Sequence, residues 1–203
     1  LQRAIDDSYF LNCEGKTYLV DTSICEIIQE GHSYKGLKIT HDIIIANGTF
    51  KMVDGVSTTG LCVFGVNHDG AVRFVDITID GSRNTSPLDL KDGSVYVQNC
   101  NIINCLTDGI MARAGYIEVD GCRIPGIRRN AVNIDVNCKF TNNFVDMTDA
   151  TRAPRDCFHC EPNKSEAHNI QTMLIANNKF KPYSTSACLT FDIKSVSTID
   201  SIV

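Results

Sequence analysis

The stretch Val97-Gln98-Asn99-Cys100-Asn101-Ile102 decides the reading of this chain, because its pattern returns. The order apolar, polar, Asn or Gly, small, polar, apolar is also spelled Ile45-Ala46-Asn47-Gly48-Thr49-Phe50 and Val119-Asp120-Gly121-Cys122-Arg123-Ile124. It comes back as Phe140-Thr141-Asn142-Asn143-Phe144-Val145 and Ile175-Ala176-Asn177-Asn178-Lys179-Phe180, with Ile79-Asp80-Gly81-Ser82 as a partial copy. The copies open at residues 45, 79, 97, 119, 140 and 175, in steps of 34, 18, 22, 21 and 35. Steps near 20 suit one coil of a solenoid, and the long ones imply inserted loops or an unrecognised coil.

The chemistry inside the phrase agrees. Alternating apolar and polar residues give a strand with one buried face. The following Asn or Gly suits a turn in the left-handed region, which those residues enter cheaply. Stacking the copies predicts Asn47, Asn99, Asn142 and Asn177 in one internal column, with amides bonded from coil to coil. The expected fold is all-β: a right-handed parallel β-helix with a short N-terminal capping helix. Leu1, Ala4 and Ile5 share a helical face able to cover the end of the stack, and Gly15 to Val20 reads as the first strand. The organisation is a single domain over 1–203, with 1–35 as cap and first strand and 36–203 as coils. Ser195 to Val203 resembles the start of another coil, which points to a fragment of a longer chain.

Of the 203 residues, 43% are hydrophobic and 21% charged, as in ordinary folded domains rather than disordered chains. A net charge of −5 leaves no basic footprint, so no nucleic-acid partner is expected. Apolar runs such as Ile43-Ile44-Ile45-Ala46 are too short for membrane insertion. The ten cysteines lie largely inside strand-like runs and are expected to be reduced, acting as small buried hydrophobes. Cys157-Phe158-His159-Cys160 has CxxC spacing, but no second CxxC accompanies it and positions i and i+3 of a strand face opposite ways.

A second strand recurs as Gly109-Ile110-Met111-Ala112-Arg113, Ala131-Val132-Asn133-Ile134-Asp135, Cys157-Phe158-His159-Cys160-Glu161 and Cys188-Leu189-Thr190-Phe191-Asp192. The two-residue period turns Ile110, Val132, Phe158 and Leu189 inward, together with Ala112, Ile134, Cys160 and Phe191. Two outward columns follow: Met111, Asn133, His159, Thr190, and beside it Arg113, Asp135, Glu161, Asp192. Coils stack about 4.8 Å apart. The carboxylates of Asp135, Glu161 and Asp192 therefore stand as like-charged neighbours, a costly arrangement that often marks a site. A carboxylic acid beside a carboxylate is what glycoside hydrolysis needs: adjacent coils suit the retaining separation, and coils two apart the inverting one. Glu161, Asp135, Asp192 and His159 are the catalytic candidates. Arg113, Asn133, Arg128, Arg129 and Arg155 are the substrate-binding candidates, since Arg forks fit acidic sugars and equally serve as counter-charges. No cofactor is expected; a Ca²⁺ ion on Asp135 and Glu161 is the one metal the donors suit. A solvated face without chemistry reads from the same residues.

Leu1 to Asp6 followed by Gly15 to Val20 resembles the capping helix and first strand of pectate-lyase-like parallel β-helix proteins, including phage tailspikes. Arg129-Asn130-Ala131-Val132 and Cys157-Phe158-His159-Cys160-Glu161-Pro162-Asn163 resemble a stretch that in those proteins commonly reads Gly-Ile-Asp-Ile-Glu-Pro-Asn. Glu161, Pro162 and Asn163 match, while Cys157 stands for the Gly and His159 for the Asp. The resemblance implies a glycan depolymerase, hydrolase or lyase, acting on a surface polysaccharide. It also implies a homotrimer, on a virion tail or secreted. Proteins of this kind also include non-catalytic shafts and adhesins, so both readings stand at this point.

Overall fold

The computed structural model describes residues 1–21, 24–25, 35–53, 61–82, 86–148, 155–162, 169–193 and 198–203. The Asn phrase is the corner of each coil. Asn47, Asn99, Asn142 and Asn177 have φ between 54° and 58°, the left-handed turn expected of them. Gly121 (φ 65°) and Asp76 (φ 53°) hold the same corner in their coils.

In-register parallel pairing stacks Ile45, Phe74, Val97, Val119, Phe140 and Ile175 into one column just before the corner. The second copy therefore begins at Phe74, not Ile79, and the steps become 29, 23, 22, 21 and 35. Asp76 had taken the Asn place, which concealed the copy.

The corner splits a 12-stranded sheet into two arms. One arm carries Ser94–Gln98, Tyr116–Asp120 and Asn137–Thr141; the other carries Asn101–Ile103, Arg123–Pro125 and Phe144–Asp146. A second, 7-stranded parallel sheet closes the coil. Its order is Ala187–Phe191, Asp156–Cys160, Val132–Ile134, Ile110–Ala112, Ser86–Leu90, Leu61–Val66, Lys35–Ile39. The fold is thus an all-β parallel β-solenoid.

The internal column is displaced by one residue from the expectation. Asn47, Asn99, Asn142 and Asn177 are exposed, because the left-handed corner puts their side chains on the convex side of the bend. The next residue, on the concave side, forms the ladder: Cys100, Cys122, Asn143, Asn178. The Cys122 amide donates to Asn143 Oδ1 at 2.8 Å, and the Asn143 amide to Asn178 Oδ1 at 2.9 Å. Asn143 Nδ2 donates to the Val119 carbonyl at 2.9 Å and Asn178 Nδ2 to that of Phe140 at 2.7 Å. Two cysteines continue the scheme in sulfur. The Cys100 amide points at Cys122 Sγ (3.4 Å), and the Cys122 and Cys100 thiols at the Val97 and Phe74 carbonyls (3.3 and 3.5 Å). Each ladder side chain satisfies a backbone donor and a backbone acceptor of the coil before it, groups costly to bury unpaired.

All ten cysteines are free thiols, eight buried, with Cys25 half-buried and Cys188 exposed. Burial raises the Cys138 and Cys157 thiols to about 12, Cys188 and nearby carboxylates adding to the latter. Apolar side chains fill the core between the sheets, with Phe50, Phe64 and Phe74 in ring contact at 4.7 and 5.0 Å, and Phe140 against Phe158 at 5.5 Å.

At the N-terminal end a helix spans Gln2–Asp6, and of its face only Ile5 is buried. Gln2 anchors it: its Nε2 donates to the Lys38 carbonyl at 2.7 Å and its Oε1 accepts the Lys38 amide at 2.9 Å. The first strand is Phe10–Asn12, ahead of Thr17–Val20. At the other end Leu189 keeps register with Phe158 yet is 44% exposed, because its strand is the outermost of the second sheet. Among the described residues no helix is long and apolar enough to cross a membrane.

Candidate functional site

The second sheet aligns the predicted columns. Met111, Asn133, His159 and Thr190 are consecutive register partners, and the column continues below Met111 through Asp89 to Gly65. The inward positions Ile110, Ala112, Val132, Ile134, Phe158 and Cys160 are all fully buried. In the neighbouring column Lys91 precedes Arg113, Asp135, Glu161 and Asp192. Cations thus occupy its first half and carboxylates its second.

Many of these outward side chains are not open to solvent: Met111 and His159 are 6% exposed and Asp135 7%. His159 is held at both ring nitrogens. Nδ1 lies 2.8 Å from Asp156 Oδ2, and Nε2 lies 3.3 Å from Glu161 Oε2. The other oxygen of Asp156 accepts the Ala187 amide at 3.2 Å, which ties the carboxylate to the next coil. With Asp156 taking the Nδ1 proton, a hydrogen bond from Nε2 to a carboxylate needs one further proton shared by that pair. Glu161 is the open end of the chain, its side chain 41% exposed.

Asp135 is used differently. One of its oxygens accepts the Glu161 backbone amide at 2.8 Å, so this buried carboxylate fixes the end of the Asp156–Cys160 strand. It also helps raise the pKa of the Cys160 thiol, behind the larger effect of burial. Asp192 is half-buried at the matching place one coil on, its amide bonded to the Cys160 carbonyl at 2.8 Å.

The arginines divide. The guanidinium of Arg113, an exposed residue, lies against the Met111 thioether with Nε 2.9 Å from sulfur. The Arg129 fork embraces Asp108, a fully buried carboxylate, with Nε 2.7 Å from Oδ1 and a second contact to Oδ2. Arg129 is therefore already committed within the fold. Arg128 is half-buried and Arg155 exposed; both are pinned by backbone, Arg128 to Cys105 and Arg155 to Arg129. The neighbouring Thr151 to Pro154 segment and Asn163 lie outside the described residues.

Three participants were missed in the sequence. Asp156 stands three residues before His159, a spacing that could have drawn notice. Asp89 and Lys91 form an ion pair at 3.0 Å with side chains 2% and 7% exposed. Their phrase, Leu88-Asp89-Leu90-Lys91, is another copy of the recurring strand. Among the described residues, three buried side-chain oxygens lack a hydrogen-bond partner: Asp89 Oδ1, Asn130 Oδ1 and Asn133 Oδ1. All three belong to this sheet or its entry turn. No group of three or more His, Cys, Asp or Glu placed to hold a metal ion occurs among the described residues.

The fold and this face define the class, a parallel β-solenoid with a polar, partly buried stripe on one sheet. No family model matches the chain, and searches of curated proteins and of solved structures likewise find no match.

Proposed function

We propose that this protein binds a polysaccharide along the outward face of the second sheet and cleaves it by hydrolysis at Glu161. The observation that carries this reading is the line Asp156, His159, Glu161, in which a buried imidazole joins a half-buried carboxylate to one more open to solvent. Asp156 orients the ring, His159 exchanges a proton with Glu161, and Glu161 gives its proton to the departing glycosidic oxygen and takes one back from the water whose hydroxyl replaces it. Asp192, one coil away, is the second carboxylate open enough to face substrate, while Asp135 holds the strand that presents Glu161. Arg113 and Asn133 bind the glycan beside it.

Glu161→Gln removes the proton carrier and keeps the shape. Native protein incubated with polysaccharides should release oligosaccharides detectable by mass, and the variant should release none with its circular dichroism unchanged. Equal turnover by the variant would remove Glu161 from the mechanism. An unsaturated product absorbing in the ultraviolet would replace hydrolysis by β-elimination. The resemblance to tailspikes supports a virion-borne or secreted homotrimer as the setting, which light scattering of the assembled protein tests.

One observation favours a second reading, a non-catalytic shaft or glycan-binding adhesin. Asp135 and Arg129 are both spent on holding the fold together. That reading predicts binding without turnover.

A further inference from the structure

Away from the second sheet, the arm that follows the corner carries a cluster of cations. The strands Arg123–Pro125, Phe144–Asp146 and Lys179–Lys181 stack there in register. Arg123, Phe144 and Lys179 form one column, and Pro125, Asp146 and Lys181 form the next. Three cations gather on the Phe144 ring. The Arg123 guanidinium carbon lies 5.2 Å from the ring centre, the Lys181 ammonium 5.1 Å and the Lys179 ammonium 5.7 Å. Arg123 reaches the ring from the coil before it, and both lysines from the coil after. The electron-rich ring attracts each cation but carries no net charge, so it holds the three together without neutralising them.

On the other arm, register supplies a countercharge: Lys139 stacks on Glu118 and pairs with it at 2.8 Å. Between Arg123 and Lys179 the same place is taken by phenylalanine. Among the described residues the one carboxylate paired with any of the three cations is Asp146, 3.2 Å from Lys181, and it also accepts the Thr148 hydroxyl and amide. Three cations against one carboxylate leave a local excess of two positive charges, in a protein of net charge −5. Arg123, Lys179 and Lys181 are all exposed. Asn101, also exposed and the register partner of Arg123, adds an uncharged amide donor at the edge of the cluster.

We propose that this face binds a phosphomonoester group, held by the Arg123 fork and the Lys179 ammonium, with Lys181 and the Asn101 amide beside them. A phosphomonoester carries close to two negative charges at neutral pH and presents three acceptor oxygens, which match the excess charge and the supply of donors. A sulfate monoester or a phosphodiester has the same tetrahedral shape with a single charge. The site lies on a different sheet from Glu161 and stands or falls independently of glycan cleavage.

The test is calorimetric titration of the native protein at low ionic strength, where exposed charges are least screened. The probes are glucose 6-phosphate, adenosine 5′-monophosphate, glucose 6-sulfate and dimethyl phosphate. At least one phosphomonoester should bind saturably at a single site, roughly 10-fold or more tighter than the sulfate ester or the diester. Arg123→Gln and Lys179→Gln should each weaken that binding roughly 10-fold, with circular dichroism unchanged because both side chains are exposed. Arg3→Gln, at an exposed cation of the N-terminal helix, should leave the affinity within about 2-fold of native. Preference for the sugar phosphate or for the nucleotide supports the proposal and names the carrier of the group. Failure of both phosphomonoesters to bind overturns it, as does binding unchanged by Arg123→Gln and Lys179→Gln. An equal loss on Arg3→Gln overturns it in favour of diffuse attraction to surface charge. Equal affinity for the singly charged probes overturns it by removing the match of charge.

Discussion

Replacing Asn143 by alanine probes the internal ladder where it is most completely bonded. The side chain is 2% exposed and serves two backbone groups of the preceding coil, the Cys122 amide at 2.8 Å and the Val119 carbonyl at 2.9 Å. Alanine leaves both buried and unpaired. At about 1–3 kcal/mol for each orphaned group, the loss is roughly 2–6 kcal/mol. For a chain of this size that lowers the melting temperature by roughly 5–20 °C. Asn143→Cys should cost less, because sulfur fills the equivalent positions at Cys100 and Cys122 with weaker bonds of the same direction. The neighbour supplies the control. Asn142 is exposed at φ 58°, so Asn142→Ala loses its contact with Asp120 and incurs about 1–2 kcal/mol of left-handed strain, and Asn142→Gly relieves the strain. The assay is thermal and urea unfolding followed by circular dichroism. An Asn143→Ala protein within about 1 kcal/mol of the native one, or one more stable than Asn142→Ala, would refute the assignment of the internal column.

Other outcomes follow from buried charge and thiol burial. Arg129→Ala strands the fully buried Asp108 carboxylate and should destabilise by about 3–5 kcal/mol, whereas Arg155→Ala, at an exposed site, should be nearly silent in the same unfolding assay. The Asp146 carboxyl is held below the usual range by the Thr148 hydroxyl, then by the Thr148 amide and Lys181. A group with a lowered folded value stabilises the protein above the ordinary carboxylate pKa and loses that contribution as pH falls through the folded value. Melting temperature should therefore drop below about pH 4, and less steeply in Asp146→Asn. At about pH 8 a disulfide reagent should find exposed Cys188 first and reach Cys138 and Cys157 only on unfolding; fast labelling of either would contradict their burial.

The corner and the second-sheet columns were legible because both are written in local code. Asn at left-handed φ and a two-residue alternation need no knowledge of what lies across the core. Asp76 escaped because aspartate fills the same corner without matching the Asn or Gly spelling. The side of the corner that faces inward escaped too, since the bend, not the alternation, decides whether Asn142 or Asn143 is buried. In the site, the order Met111, Asn133, His159, Thr190 follows from period alone. That Asp135 caps a strand and that Arg129 is taken by Asp108 depend on side chains crossing between coils, of which spacing in one chain carries no trace. Asp156 meets His159 within one strand, three residues away, where the two-residue alternation alone would send the two to opposite faces.

The corner column has a consequence for how such a chain changes over generations. From Asn101 to Arg123 is 22 residues and from Ile124 to Val145 is 21, but from Val145 to Phe180 is 35, and yet the members of each pair are register partners. Length is thus free to vary between anchors while every column keeps its address. Insertions between the corner strands and the second sheet can change what surrounds the Arg113 to Asp192 stripe and leave the ladder of Cys100, Cys122, Asn143 and Asn178 untouched. Selection on a ligand and selection on the fold then act on separate letters of the same coil, and a coil can acquire a new neighbourhood without relearning how to stack.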